Sequence, residues 1–123
     1  MSDIATKIST DEILEIAKNT RREFEESRVD KDLLARLYLA YNQVEDINSF
    51  IKRADLIFPS LNCGLASAYI QGKIECGEIV LGHYHNNPHS FLLLDEGFIV
   101  DITADQFGGP KIYVGPLTYP WSV

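Results

Sequence analysis

Residues 89–101 read His89-Ser-Phe-Leu-Leu-Leu-Asp-Glu-Gly-Phe-Ile-Val-Asp101, and the way this stretch folds back on itself decides both the fold and the chemistry of the chain. Two β-rich runs flank Asp95-Glu96-Gly97, which suits a three-residue loop: a type I turn followed by a glycine in the left-handed bulge position. That loop pairs Leu94 with Phe98. Counting back along the ladder, Phe91 faces Asp101 and His89 faces Thr103, so His89 and Asp101 share a face as diagonal neighbours, roughly 7–8 Å apart at the backbone and within side-chain hydrogen-bonding reach. A two-residue turn at Glu96-Gly97 would instead pair Asp95 with Phe98, set His89 opposite Ala104 and send the two side chains to opposite faces.

Working outward, the rest of the second half is built of similar short runs. Lys73 to Cys76, Glu78 to His85, Ser90 to Leu94, Phe98 to Thr103 and Lys111 to Val114 are rich in β-formers and separated by Gly, Asn, Pro and Asp, which predicts an antiparallel sheet. The first half is helical by its spacing. Ser9 and Glu12 have capping-box spacing, and Ile13, Ile16, Ala17, Thr20 and Phe24 recur at three- and four-residue steps, giving a helix from about Thr10 to Glu26. Asp30 caps a second helix with Leu33, Leu37, Tyr41 and Val44 as its inward stripe, and Ile47, Phe50, Ile51 and Ala54 continue it or start a third. Pro59 ends this region, because the residue before a proline is pushed towards extended geometry. Ser60 or Asn62 then caps a helix from about Cys63 to Gln71, with Gly72 suited to the left-handed residue past its end. Helices first and strands afterwards, without βαβ alternation, predict an α+β fold in one domain, 1–123. Its helical part is 1–58, and 59–123 holds the Cys63 helix packed on the sheet.

Composition narrows the function classes. A chain of 123 residues buries about two-thirds of its unfolded surface in a single core. Eleven basic against eighteen acidic residues leave a net charge of −7, the wrong sign for a phosphate backbone or an anionic membrane. No nucleic acid and no membrane partner is therefore expected. Two cysteines, Cys63 and Cys76, are too few for a disulfide scaffold, and the polar start from Met1 to Thr10 does not resemble a secretion signal. A reducing cytoplasm is the expected compartment, with export by a signal-independent machine compatible with it.

Cys63 falls in the first turn of its helix, where unpaired backbone N–H groups and the positive end of the helix dipole favour a thiolate and can hold an oxyanion. Gly64 leaves room beside it. Cys63, His89 and Asp101, in that order, read as a thiol nucleophile, its base and the carboxylate that orients the base. Blander readings stand beside this one. A cysteine at a helix start is often a small hydrophobe, Cys76 in its β-run reads as structural, and Asp105 is an alternative orienter. His83 and His85, two apart in one strand, point to one face and suggest a zinc site with His89 or Cys63 as a third ligand. A noncatalytic protein-binding module, an adaptor or an immunity protein, is the alternative from another class.

The stretch from His89 through Asp101-Ile-Thr-Ala-Asp-Gln-Phe-Gly108, preceded by the helix-opening Cys63, resembles the core of papain-like and transglutaminase-like Cys-His-Asp enzymes. Within that superfamily it looks closest to small bacterial thiol hydrolases, among them the protein-glutamine deamidase domains of toxins and effectors. The likeness covers Leu61 to Pro116. It implies catalytic roles for Cys63, His89 and Asp101, an acyl-enzyme thioester, a protein substrate, and no requirement for a cofactor or metal. Hydrolysis of a glutaminyl thioester gives deamidation, amine attack gives transamidation, and main-chain cleavage gives proteolysis; hydrolysis by glutamine deamidation or proteolysis is the reading the resemblance favours. Papain-like peptidases also place a glutamine shortly before the nucleophile as the second oxyanion donor. Here that stretch is Phe58-Pro59-Ser60-Leu61-Asn62, leaving Asn62 or Gln106 as substitutes.

Overall fold

The computed structural model describes residues 9–123 and comprises α1 (Thr10–Glu25), α2 (Lys31–Tyr41), α3 (Ile47–Leu56), α4 (Cys63–Ile74) and five strands. The strands are β1 (Glu78–Tyr84), β2 (Asn87–Leu93), β3 (Phe98–Asp101), β4 (Tyr113–Pro116) and β5 (Trp121–Ser122), with 3-10 turns at Asp95–Gly97 and Ala104–Phe107. The fold is α+β, as expected. The start of the chain, read above for a secretion signal, lies outside the described residues from 1 to 8. Among the described residues no helix is long and apolar enough to cross a membrane.

Local chemistry accounts for the helix starts. Ser9 and Glu12 form the complete capping box: the Ser9 side chain accepts from the Glu12 N–H, and the Glu12 carboxylate accepts from the Ser9 N–H, both at 3.1 Å. Asp30 and Asp46 cap α2 and α3 through the N–H groups of Leu33 and Ser49. The break between α2 and α3 therefore falls before Asp46, which resolves the open alternative. In α2 the inward stripe is shifted by one residue from expectation. Leu34 and Tyr38 are the buried pair, Leu33 and Leu37 pack at the margin, and Tyr41 is 39% exposed. The helix rolls to place its two middle residues against α4, and Leu33, Leu37 and Tyr41 fall to the flank.

α4 is apolar almost all the way round, with Leu65, Ala66, Ala68, Tyr69, Ile70 and Ile74 buried, because it runs between α1 and α2 on one side and the sheet on the other. Each buried Leu or Ile there contributes roughly 1.5–3 kcal/mol of hydrophobic stabilisation. It is longer than the spacing predicts. Gly72 is an ordinary helical residue, and the left-handed position falls at Glu75 (φ 57°). The expected strand from Lys73 to Cys76 does not exist: Ile74, only 4% exposed, is needed in the core as a helical residue. Gly72 serves packing instead, since a Cβ there would lie 2.7 Å from a Leu37 methyl.

The sheet is antiparallel throughout, in the order β4-β3-β2-β1-β5. Alternation gives it two faces. Ile79, Leu92 and Val100 point to the helices, while Tyr84, Phe91, Ile99 and Trp121 build a second cluster on the other face. Laid flat, five strands would hold their edge strands about 19 Å apart. Tyr113 of β4 and Trp121 of β5 nevertheless stack with centroids 4.0 Å apart and planes at 22°, so the sheet curls until its edges nearly meet around this second cluster. The two-residue strand β5 was not expected, and β4 begins at Tyr113 rather than Lys111.

Candidate functional site

The hairpin between β2 and β3 takes the three-residue form. Leu93 pairs with Ile99 and Leu92 with Val100, the Leu94 N–H donates to the Phe98 carbonyl at 2.7 Å, and Gly97 has φ 77° as the left-handed bulge residue. This register leaves His89 and Asp101 on the same face. Nε2 of His89 donates to Oδ2 of Asp101 at 2.7 Å, and the two side chains are 0% and 1% exposed. β2 starts at Asn87, so His89 sits inside the strand, paired with Gly82 of β1.

A carboxylate only accepts, so the bond to Asp101 fixes the proton on Nε2 and leaves Nδ1 as the ring's other working atom. Nδ1 is buried without a hydrogen-bond partner in the resting structure. The thiol of Cys63 is the remaining group that acts on the ring. Cys63 is the first residue of α4 and is half-buried. Asn62 precedes it without capping the helix through its side chain, so the first-turn N–H groups carry no side-chain acceptor and stand next to the sulfur. Gly64 is tight as well as open: a Cβ there would come within 3.0 Å of the Tyr38 ring.

The electrostatics of the pair are reciprocal. Burial alone would push the His89 imidazole down, but the hydrogen bond to Asp101 and then the Cys63 thiol outweigh it and raise the group from 6.5 to about 9. Burial alone would push the Cys63 thiol up. The nearby His89 ring and then the backbone N–H of Ser90 outweigh that and bring it below its ordinary value, with the Ser90 hydroxyl adding a smaller effect. Both shifts favour a thiolate facing an imidazolium.

Asp101 is held from several directions. Oδ1 accepts the Thr103 N–H at 2.9 Å and its hydroxyl at 3.4 Å, and Oδ2 accepts the indole N–H of Trp121 at 2.7 Å besides His89. The corner that follows is bolted to the helices. Arg21, 5% exposed on the inward face of α1, forks onto Asp105 at 2.7 and 2.8 Å and donates to the Ile102 carbonyl at 2.8 Å. Asp105 is thus committed to Arg21 and does not approach His89's Nε2, which Asp101 occupies. Phe107 packs edge-on to the His89 ring at 5.3 Å, and Gln106 donates to the Thr103 carbonyl.

Two expectations about supporting residues need correction. The Asn62 amide donates to the carbonyls of Ala54 and Ser60 at 2.9 and 2.8 Å, which uses both of its N–H groups, and the Gln106 amide is engaged with Thr103. Neither side chain is aimed at Cys63; Asn62 instead ties the end of α3 to the start of α4. His83 and His85 do not share a strand face, because the strand ends at Tyr84 and His85 turns out with φ 54° to contact the Tyr119 hydroxyl through Nδ1 at 2.9 Å. Among the described residues no group of three His, Cys, Asp or Glu side chains is placed to hold a metal ion. Cys76 is exposed in the turn after α4 and not in a strand.

A hydrogen bond joins His89 to Asp101, and the Cys63 thiol acts on the same imidazole. No family model, no curated protein and no solved structure matches the chain. The residues that sequence reasoning missed are Ser90, Trp121 and Arg21. Arg21 had a signal, since it falls on the apolar stripe of α1 between Ala17 and Phe24. Trp121 had none beyond being the chain's single tryptophan.

Proposed function

We propose that the protein is a cysteine-dependent amide hydrolase in which Cys63 is the nucleophile, His89 the acid and base, and Asp101 the orienting carboxylate. One observation carries the reading: a fully buried imidazole with Nε2 on a carboxylate and a partnerless Nδ1 whose other influence is a half-buried thiol at a helix N-terminus. A core histidine serving only packing has no reason to bury an unsatisfied nitrogen, which costs about 1–3 kcal/mol.

In the proposed reaction the Cys63 thiolate attacks the amide carbonyl, and the negative charge passes to the carbonyl oxygen. The first-turn N–H groups of α4 are the donors for that oxygen; a single donor of this kind is worth about 3 kcal/mol in the transition state. His89 gives its Nδ1 proton to the departing nitrogen, the C–N bond breaks, and a thioester remains. Water then adds to the thioester as His89 takes its proton, and the acid and free thiol are released. The net change is amide plus water to acid plus ammonia or amine. Asp101 keeps the ring's proton on Nε2 throughout. A polypeptide is the substrate class, attacked at a glutamine side chain or at the main chain. No residue of this mechanism calls for a metal or cofactor.

The test is mass spectrometry of a proteome incubated with the wild-type protein and with Cys63→Ala. Cysteine-dependent conversion of glutamine to glutamate marks a deamidase, and new termini mark a peptidase. If neither product appears and the Cys63 thiol is no more reactive than an ordinary cysteine, the reading is wrong and a protein-binding module is favoured.

A further inference from the structure

We infer that Trp121 is a positioning residue of this site: its indole N–H holds the Asp101 carboxylate so that Oδ2 stays aimed at His89. The inference rests on the proposed roles of Cys63, His89 and Asp101.

Two donors from different strands converge on one oxygen. The Trp121 Nε1–H and the His89 Nε2–H both reach Oδ2 at 2.7 Å, while the Thr103 N–H holds Oδ1 at 2.9 Å. An aspartate pivots about the bond that carries its carboxylate, and donors at both oxygens stop that pivot. Thr103 lies two residues from Asp101 and moves with it. Trp121 comes from the far edge of the sheet and supplies an independent anchor. The indole is itself clamped: it is 5% exposed, stacked on Tyr113 at 4.0 Å and set edge-on to Tyr84 at 5.1 Å. Its strand is fastened by pairing of Tyr84 with Trp121 and by the His85 N–H donating to the Pro120 carbonyl at 2.8 Å. A strand of two residues adds little to a sheet, and the donor it delivers gives β5 a purpose.

Losing the indole N–H has two opposed consequences. The carboxylate, relieved of one donor, attracts the imidazolium more strongly; freed to pivot, it turns away from Nε2. Hydrogen-bond strength falls steeply with angle, and the bond to Asp101 is the leading influence that raises His89, so the loss of restraint dominates.

Trp121→Phe keeps an apolar ring and deletes the donor. In a Cys76→Ser background, which leaves one thiol, the pH dependence of iodoacetamide alkylation reports the Cys63 thiolate. The midpoint is expected to rise towards that of Asp101→Asn, with a roughly three- to tenfold slower reaction at pH 6.5, equivalent to half to one unit of pKa. Tyr113→Leu removes the stacking partner but leaves the N–H, so it is expected to lower the melting temperature and leave the alkylation midpoint in place. A midpoint unmoved in Trp121→Phe, or moved equally in Tyr113→Leu, overturns the inference. His89→Ala separates this from failure of the parent reading: if that variant leaves the midpoint unmoved, it is the triad that fails. Should Trp121→Phe not fold, the wild-type protein gives the answer, because its single indole N–H proton resonance is expected to titrate with the midpoint of His89, about 9. An indole signal that stays flat through that range overturns the inference.

Discussion

The two ends of α4 carry the chain's two cysteines, and they are opposite in character. Cys63 opens the helix, half-buried, between first-turn N–H groups, the His89 ring and Ser90, and its thiol is held below the ordinary value. Cys76 lies two residues past the other end, exposed, where burial and then the nearby Asp95 push the thiol up. The residue type is the same and the neighbours differ. Helix polarity favours an anion at the first end and opposes one at the second, and only the first end meets a base. Reactivity here is a property of the surroundings assembled on β2 and β3, which is why a single cysteine in a sequence says so little.

The contrast breaks most completely when His89 is removed. His89→Ala is expected to reduce the proposed amide hydrolysis by on the order of ten-thousandfold, and Asp101→Asn by a comparable or somewhat smaller factor. In the same His89→Ala protein, alkylation at pH 6.5 is expected to lose its selectivity for Cys63 over Cys76, a selectivity of roughly tenfold or more in the wild type. Peptide mapping after brief labelling measures both thiols in one sample, and retained selectivity would show that the helix terminus, not the imidazole, sets the contrast.

Arg21→Met tests whether the corner behind Asp101 is an anchored part of the Cys63 end. It removes the fork onto Asp105 and strands a carboxylate that is 19% exposed, for an expected loss of about 3 kcal/mol and roughly 10 °C in Tm. Cys76 labelling is expected to stay unchanged in the folded protein. A loss under about 1 kcal/mol would mean that this partly buried pair behaves as a surface one.

The smallest effect concerns pH and stability. A raised His89 stabilises the fold below its unfolded value near 6.5, and that contribution is lost as pH rises through about 9. A lowered Cys63 does the reverse: its contribution is present above the unfolded thiol value and is lost as pH falls through the folded one. Above the lowered Cys63 value the folded pair holds one proton, as the unfolded pair does between about 6.5 and the ordinary thiol value, so where those ranges overlap the two dependences cancel. Cys63→Ala removes one partner and leaves His89 raised by Asp101. Its stability is therefore expected to fall by roughly 1 kcal/mol from pH 6.5 to 9 relative to wild type, measured by urea unfolding. Parallel curves would show that Cys63 and His89 do not share a proton.

Much of this was legible before folding. Capping residues Ser9 and Asp30, the turn at Asp95-Glu96-Gly97 and the glycine at its bulge position are local signals, because each works through groups within a few residues of itself. The errors came where local preference met packing. Gly72 looked like a helix end but is a contact surface for Leu37; Ile74 looked like a strand start but is needed in the core; the α2 stripe moved by one residue to face α4. Asn62 had the chemistry of a cap or an oxyanion donor, and the carbonyls of Ala54 and Ser60 claimed its amide.

By itself the sequence determined the α+β class and the order of Cys63, His89 and Asp101, and narrowed the hairpin to two registers, one of which puts the last two on one face, since turn chemistry and strand alternation are set within the hairpin. The tertiary structure alone decided the rest. It gave Asp105 to Arg21 across more than eighty residues of chain, set His89 where a thiol on another element acts on its ring, and curled the sheet until Trp121 reached Asp101. Those contacts join segments whose separation along the chain carries no local signal, and only the burial of one common core brings them within hydrogen-bonding distance.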